Sequence, residues 1–282
     1  MNMDGYYKTL GKIAALPDEE IPLLQIAFLL GRFDAPTLSE SYARLHFKEL
    51  EQKAHELLNG KEAENLTPEE LLCIIKETVF EAAAYICSFE DAGKPFTLNI
   101  LQIAKKRRLH PFYLNFIYLH LLRSLNVKTG ILSLPKYFLI QIENKEGKHF
   151  IADPIKGGQI LSTNDLKNLL NHCLTLTGDE GKDSFRPLTN KEIILKIQET
   201  LKEAYMKTGN QTGALKTLQT LLIMDPTNPF LWLEDSFLQA NQNNIRQAIL
   251  SLETYLVFMK EKEEANTQKE EEFLSYLKKS LN

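Results

Sequence analysis

Val127-Lys128-Thr129-Gly130-Ile131-Leu132, Tyr137-Phe138-Leu139-Ile140-Gln141-Ile142-Glu143 and Lys148-His149-Phe150-Ile151-Ala152-Asp153 form the stretch in which the chain changes character. Before it, apolar residues recur at helical spacing. Within it they crowd together, rich in β-branched and aromatic types, and Asn144-Lys145-Glu146-Gly147 interrupts them as a turn. The reading is a buried strand over 127–132, a second over 137–143, and a third over 148–153 that completes a hairpin. Gly157-Gly158 then breaks the chain, and Ser162 or Thr163 starts a helix reaching about Cys173.

On the N-terminal side the chain reads as helix. The expected helices run over 21–30 and 38–58, from Thr67-Pro68-Glu69-Glu70 to about Cys87, and over 98–108 and 111–125. The 38–58 helix has Leu45, Leu50, Leu57 and Leu58 among its apolar positions, with Gly60 beyond its end. Helices packed on a small antiparallel sheet make this part α+β. It is expected to span 1–176, followed by a polar linker over 177–188 and an all-α part over 189–282.

Composition narrows the function classes. The chain has 282 residues, 44% hydrophobic and 25% charged, which suits a packed globular protein. Its 33 basic and 37 acidic side chains leave a net charge of −4, so no nucleic-acid partner is expected. Lys105-Lys106-Arg107-Arg108 reads as cations at a helix C-terminus, and Glu270-Glu271-Glu272 as a solvated helix face. No apolar run is long enough to cross a bilayer and no secretory leader is visible, so the expectation is a cytoplasmic protein with no membrane partner. Cys73, Cys87 and Cys173 read as reduced, buried thiols. The first two, on one helix and fourteen positions apart, would stand about 21 Å from each other. The six histidines show no metal-ligand spacing, so neither a metal nor another cofactor is expected.

The C-terminal third repeats itself. Ala214 and Ala248, Leu218 and Leu252, Leu215 and Ile249, and Leu222 and Leu256 are each 34 positions apart, and Pro226 and Trp232 lie between the two units. The pattern resembles tetratricopeptide repeats, with Tyr205 at the aromatic position of the first helix and Trp232 opening the next repeat. Ala214, Leu218, Pro226, Ala248 and Leu252 fall at repeat-packing positions. Trp232 and Tyr205 are the residues expected on a binding surface for a protein or peptide. Two repeats are too few to be stable alone. Cover is therefore expected from the first domain or from a last helix over 266–281, whose Phe273, Leu274, Leu277 and Leu281 share a stripe.

The segment Leu16-Pro17-Asp18-Glu19-Glu20-Ile21, the helical block after it, and residues 101–162 resemble the SirB1 family of bacterial proteins. In that family a divergent transglutaminase-like domain precedes tetratricopeptide repeats. Its motifs correspond here to Arg107-Arg108-Leu109-His110-Pro111-Phe112-Tyr113-Leu114, Pro135-Lys136-Tyr137-Phe138 and Asp153-Pro154-Ile155-Lys156-Gly157-Gly158. Active members of the wider superfamily use a helix-borne cysteine, a histidine base and an orienting aspartate. Residues 109–123 contain neither Cys nor Ser, and Tyr137 occupies the histidine position. The triad positions are therefore Tyr113, Tyr137 and Asp153, with Asp153 alone unchanged. The resemblance implies a degenerate site in a non-catalytic interaction or regulatory protein. The alternative is a hydrolase or acyl-transfer enzyme with a site rebuilt around Asp153. A third reading is a structural subunit with a permanent partner.

Overall fold

The computed structural model describes residues 3–88, 90–134, 137–177, 186–260 and 267–280. In chain order the elements are α1 (Met3–Ala14), α2 (Leu23–Asp34), α3 (Glu40–Leu57), α4 (Pro68–Lys76), β1 (Ile86–Cys87), α5 (Ile100–Lys106), β2 (Arg108–Leu109) and α6 (Pro111–Ser124). Strands β3 (Thr129–Leu134), β4 (Tyr137–Glu143), β5 (His149–Asp153) and β6 (Gln159–Ile160) follow. Helices α7 (Thr163–Thr177), α8 (Asn190–Lys207), α9 (Gln211–Met224), α10 (Pro229–Asn241), α11 (Ile245–Lys260) and α12 (Gln268–Ser280) complete the chain. The class is α+β, as the sequence implies.

The helix starts follow from local chemistry. Ser39 accepts the Tyr42 amide at α3, and Thr67 and Glu70 satisfy each other's backbone in a capping box at α4. Asn99 caps α5 and His110 Nδ1 accepts the Phe112 amide at α6.

The four strands β3-β4-β5-β6 form one antiparallel sheet in sequence order. Successive side chains of β4 point to opposite faces. Phe138 meets Phe112 of α6 edge-on at 4.6 Å, whereas Leu139 joins Leu132, Leu134 and Cys173 in a cluster that Leu166, Leu169 and Leu170 of α7 cover. The outer edge of β3 is partly closed by the last residues of the expected linker: Leu188 N donates to Ile131 O at 2.8 Å. Gly130 permits this approach, because a Cβ there would stand 2.6 Å from that of Pro187.

Contacts divide the chain into two compact units, Pro22–Ile194 and Met1–Ile21 with Leu195–Asn282. Compared with the expected 1–176 and 189–282, the first 21 residues change sides and the division falls inside α8. The reason is that α1 packs on α9. Tyr6, 1% exposed, shares a hydrogen bond of 3.1 Å with Thr220, and Tyr7 donates to Gln219 at 2.8 Å. Of the expected linker, residues 178–185 lie outside the described residues, as do Pro135, Lys136, Asn266 and Leu281.

Other boundaries also move. The helix expected to reach Cys87 leaves α geometry after Lys76, continues as a wide π turn over Glu77–Ala82, and ends where Ala84 takes a left-handed φ of 53°. Cys87 is therefore on β1, paired in parallel with Leu109, and no longer shares a helix with Cys73. Cys73 is exposed, not buried. Leu45, expected on the apolar side of α3, is 57% exposed.

Within the second unit, Ala214, Leu218, Ala248 and Leu252 are each 0% exposed, in clusters contributed by α9 and α10 and by α11 and α12. Leu277 of α12 is buried with Phe273 and Leu274 packed beside it. Buried Asp235 of α10 accepts hydrogen bonds from Ser251 and Gln239, tying α10 to α11.

Truncating Tyr6 to alanine empties a packed site and strands the Thr220 hydroxyl. Tyr6→Ala is expected to cost about 3 kcal/mol or more in urea unfolding, and an unchanged midpoint would refute the role given to α1.

Candidate active site

The triad positions do not come together as a triad. Tyr137 at the start of β4 and Asp153 at the end of β5 meet: the phenol donates to Asp153 Oδ2 at 2.6 Å. Asp153 is 0% exposed, its Oδ1 accepts the Ile155 amide at 3.0 Å, and Lys156 Nζ stands 3.8 Å from Oδ2. The carboxylate thus caps the turn that follows it and holds the Tyr137 phenol. Burial and the Asp153 hydrogen bond both push the Tyr137 hydroxyl above its ordinary value. It stays protonated and donates.

Tyr113 is placed elsewhere. It is 1% exposed, its ring lies 5.5 Å from that of Phe116, and the charge it feels is that of Asp34, which together with burial raises its phenol. It fills the core at the start of α6 and presents no group to Asp153.

Cys87 is the group that sequence reading missed. Its thiol is pushed up to about 12, chiefly by burial and further by the Asp153 carboxylate. The available signal was Tyr85-Ile86-Cys87, strand-forming residues directly after Ala82-Ala83-Ala84. Cys173, near Tyr137, is also raised by burial. A nucleophilic cysteine needs the opposite setting, with positive charge or a helix N-terminus lowering its pKa. His110 is spent on capping α6, and His149 is exposed at the far end of β5.

The two residues expected on the repeat surface are engaged in packing. Trp232 leans on both helical clusters and donates Nε1–H to Pro226 O at 2.8 Å. Tyr205 packs on the α9 cluster so closely that a Cβ at Gly213 would meet its ring at 2.8 Å. The exposed aromatic residues are instead Phe230 and Phe237 of α10 and Tyr276 of α12, with Phe237 stacked on Phe273 at 5.2 Å. Among the described residues no cluster of three or more His, Cys, Asp or Glu could hold a metal ion, and no helix is long and apolar enough to cross a membrane. A surface cavity of about 270 Å³ between Leu66, Pro68, Val127, Ile142 and Lys145 lies apart from the triad positions.

With this geometry in place, comparison with known proteins assigns the class. The sequence signature of the transglutaminase-like superfamily matches residues 44–199, and the chain belongs to that superfamily. Among individual relatives, a UPF0162 protein of Xylella fastidiosa is 23% identical over 223 residues, covering 77% of this chain and 76% of its own. A UPF0162 protein of Buchnera aphidicola is 25% identical over 187 residues, covering 65% and 67%. Protein SirB1 of Salmonella typhimurium is 24% identical over 129 residues, covering 46% and 48%, in agreement with the SirB1-family motifs. No solved structure matches the chain.

The thiols should separate by environment. At pH 8 a disulfide reagent is expected to modify exposed Cys73 rapidly, and Cys87 and Cys173 only on unfolding. With a pKa near 12, on the order of one Cys87 in ten thousand is thiolate at that pH. Rapid native labelling of Cys87 would refute this. Tyr137→Phe removes the phenol donor from a buried carboxylate and is expected to cost about 1–3 kcal/mol in chemical unfolding, whereas a neutral result would mean water replaces it freely.

Proposed function

We propose that the chain is a non-catalytic protein that acts through protein–protein contacts as an interaction or regulatory component of the cytoplasm. The observation that carries the reading is the Tyr137–Asp153 hydrogen bond. A protonated phenol holds the base position, and it cannot take a proton from a nucleophile near neutral pH. Support comes from the start of α6, where Phe112 and Tyr113 are core residues, and from the raised thiols of Cys87 and Cys173. The contact surface assigned to a protein or peptide partner is the repeat-like helical unit, with Phe230, Phe237 and Tyr276 as its exposed aromatic residues in place of Trp232 and Tyr205. Exposed aromatics of this kind supply the anchors of many interfaces.

The enzymatic alternative rests on Cys87, a thiol that the Asp153 charge reaches. Both readings are separated by one set of full-length proteins, since removing the C-terminal helices would also strip α1 of the surface on which it packs. A partner captured in stoichiometric amount should be retained by Cys87→Ser and lost by Phe230→Ser combined with Phe237→Ser. Loss of capture with Cys87→Ser, together with covalent labelling of Cys87 by acyl-directed probes, would replace this reading with acyl transfer.

A further inference from the structure

Three segments far apart in sequence leave a cavity where they meet, inside the unit Pro22–Ile194. The first is the turn before α4 with the start of that helix, from Ala63 to Leu71. The second leads from α6 into β3, and the third is the end of β4 with the turn that follows. The volume of about 270 Å³ stands just below the roughly 300–1,000 Å³ of small-molecule sites. Neither the triad positions nor the three cysteines line it. Its floor is apolar. Ala63, Leu71, Val127 and Ile142 are buried in the unit, and the space over them stays open. Water gains few hydrogen bonds over such a floor, so an apolar group that displaces it is favoured.

The rim carries charge of both signs. Lys128 and Glu143 satisfy each other at 2.9 Å, next to the last pair of the β3–β4 ladder. Lys145 and Glu64 are left over. Among the described residues, the Lys145 ammonium meets a neutral acceptor, Asn65 Oδ1 at 3.5 Å, and Glu64 has no ion-pair partner. An isolated anion placed in the cavity would face Glu64 and Glu143. An isolated cation would face Lys128 and Lys145. A molecule that carries both charges on an apolar body answers the floor and the rim together.

We propose that this cavity binds a free apolar α-amino acid as its zwitterion. The carboxylate turns toward Lys145, the ammonium toward Glu64, and the side chain rests on Leu71, Val127 and Ile142. Both rim groups are exposed, and exposed charge pairs contribute little each. The apolar side chain therefore supplies most of the affinity, and the two charges select the class of ligand. For so small a molecule the dissociation constant is expected on the order of 1 mM.

The test titrates the full chain at neutral pH with L-valine, L-leucine and L-phenylalanine, read by the Val127 and Ile142 methyl resonances and by thermal unfolding. At least one of them should shift both methyl signals saturably and raise the unfolding temperature. Glycine lacks the apolar side chain, and the N-acetyl and amide forms of the amino acid that binds each lack one charge. All three should bind about fivefold more weakly or worse. Lys145→Gln and Glu64→Gln change exposed side chains, so both proteins should fold, and each should weaken binding about fivefold. No saturable shift with any of the three amino acids would overturn the proposal. So would equal binding of glycine or of the singly charged forms, or a variant that binds as the wild type does.

Discussion

Helix α6 is buried at every position from Pro111 to Leu119, and the unit around it is built to satisfy that constraint. Phe112, Leu114, Phe116, Ile117, Leu119, Leu121 and Leu122 are each no more than 1% exposed. A helix apolar on every side must be enclosed on every side. Helices α3 and α4 and strands β3 and β4 provide the enclosure. At about 1.5–3 kcal/mol for each large side chain removed from water, these residues outweigh any single polar contact in the unit. The same constraint governs the chemistry. A helix start packed with buried Phe112 and Tyr113 leaves no room there for an exposed side chain.

Enclosure is not complete in its polar detail. Asn115 and Tyr118 lie one turn apart on α6, each 0% exposed, and Asn115 Oδ1 and the Tyr118 hydroxyl have no hydrogen-bond partner. Asn115 does use its amide, which donates to Pro111 O at 3.0 Å and to Phe138 O at 3.4 Å, and so ties α6 to β4. Tyr118 is close enough to Asp153 for the carboxylate, after burial, to raise its phenol. Polar groups left over beside a buried carboxylate are costly where nothing catalytic uses them. They mark this part of the core as the place where the chain departs furthest from a purely apolar solution.

Much of this was legible in sequence because it depends on local pattern. The hairpin of β4 and β5 follows from Asn144-Lys145-Glu146-Gly147 between apolar runs, and the start of α4 from Thr67-Pro68-Glu69-Glu70. The absence of Cys and Ser over 109–123 was equally visible. What stayed hidden depends on distant partners. Nothing in Tyr6 or Tyr7 names Thr220 and Gln219, more than two hundred positions away. Helical periodicity runs unbroken through Ala82, and only the three-dimensional pairing of Cys87 with Leu109 ends it. Trp232 and Tyr205 fit a repeat pattern well, but a pattern does not say which aromatic faces solvent. Phe230 and Phe237, two residues before and five after Trp232 on the same helix, do.

On the proposed reading, a tyrosine standing where a histidine would act keeps the architecture of such a site while removing its base. Both side chains are planar and both can donate a hydrogen bond to an aspartate, so the strand pair β4–β5 closes on Asp153 through Tyr137 as it would through an imidazole. Only the imidazole has a second nitrogen that accepts a proton near neutral pH. Asp153, relieved of orienting a base, keeps its second oxygen on the Ile155 amide and so still shapes the turn into Pro154–Lys156. Burial, and after it the Asp153 charge, raise the Cys87 thiol and keep it protonated. On the proposed reading, Tyr137 keeps the hydrogen bond between β4 and β5 without supplying a base near neutral pH.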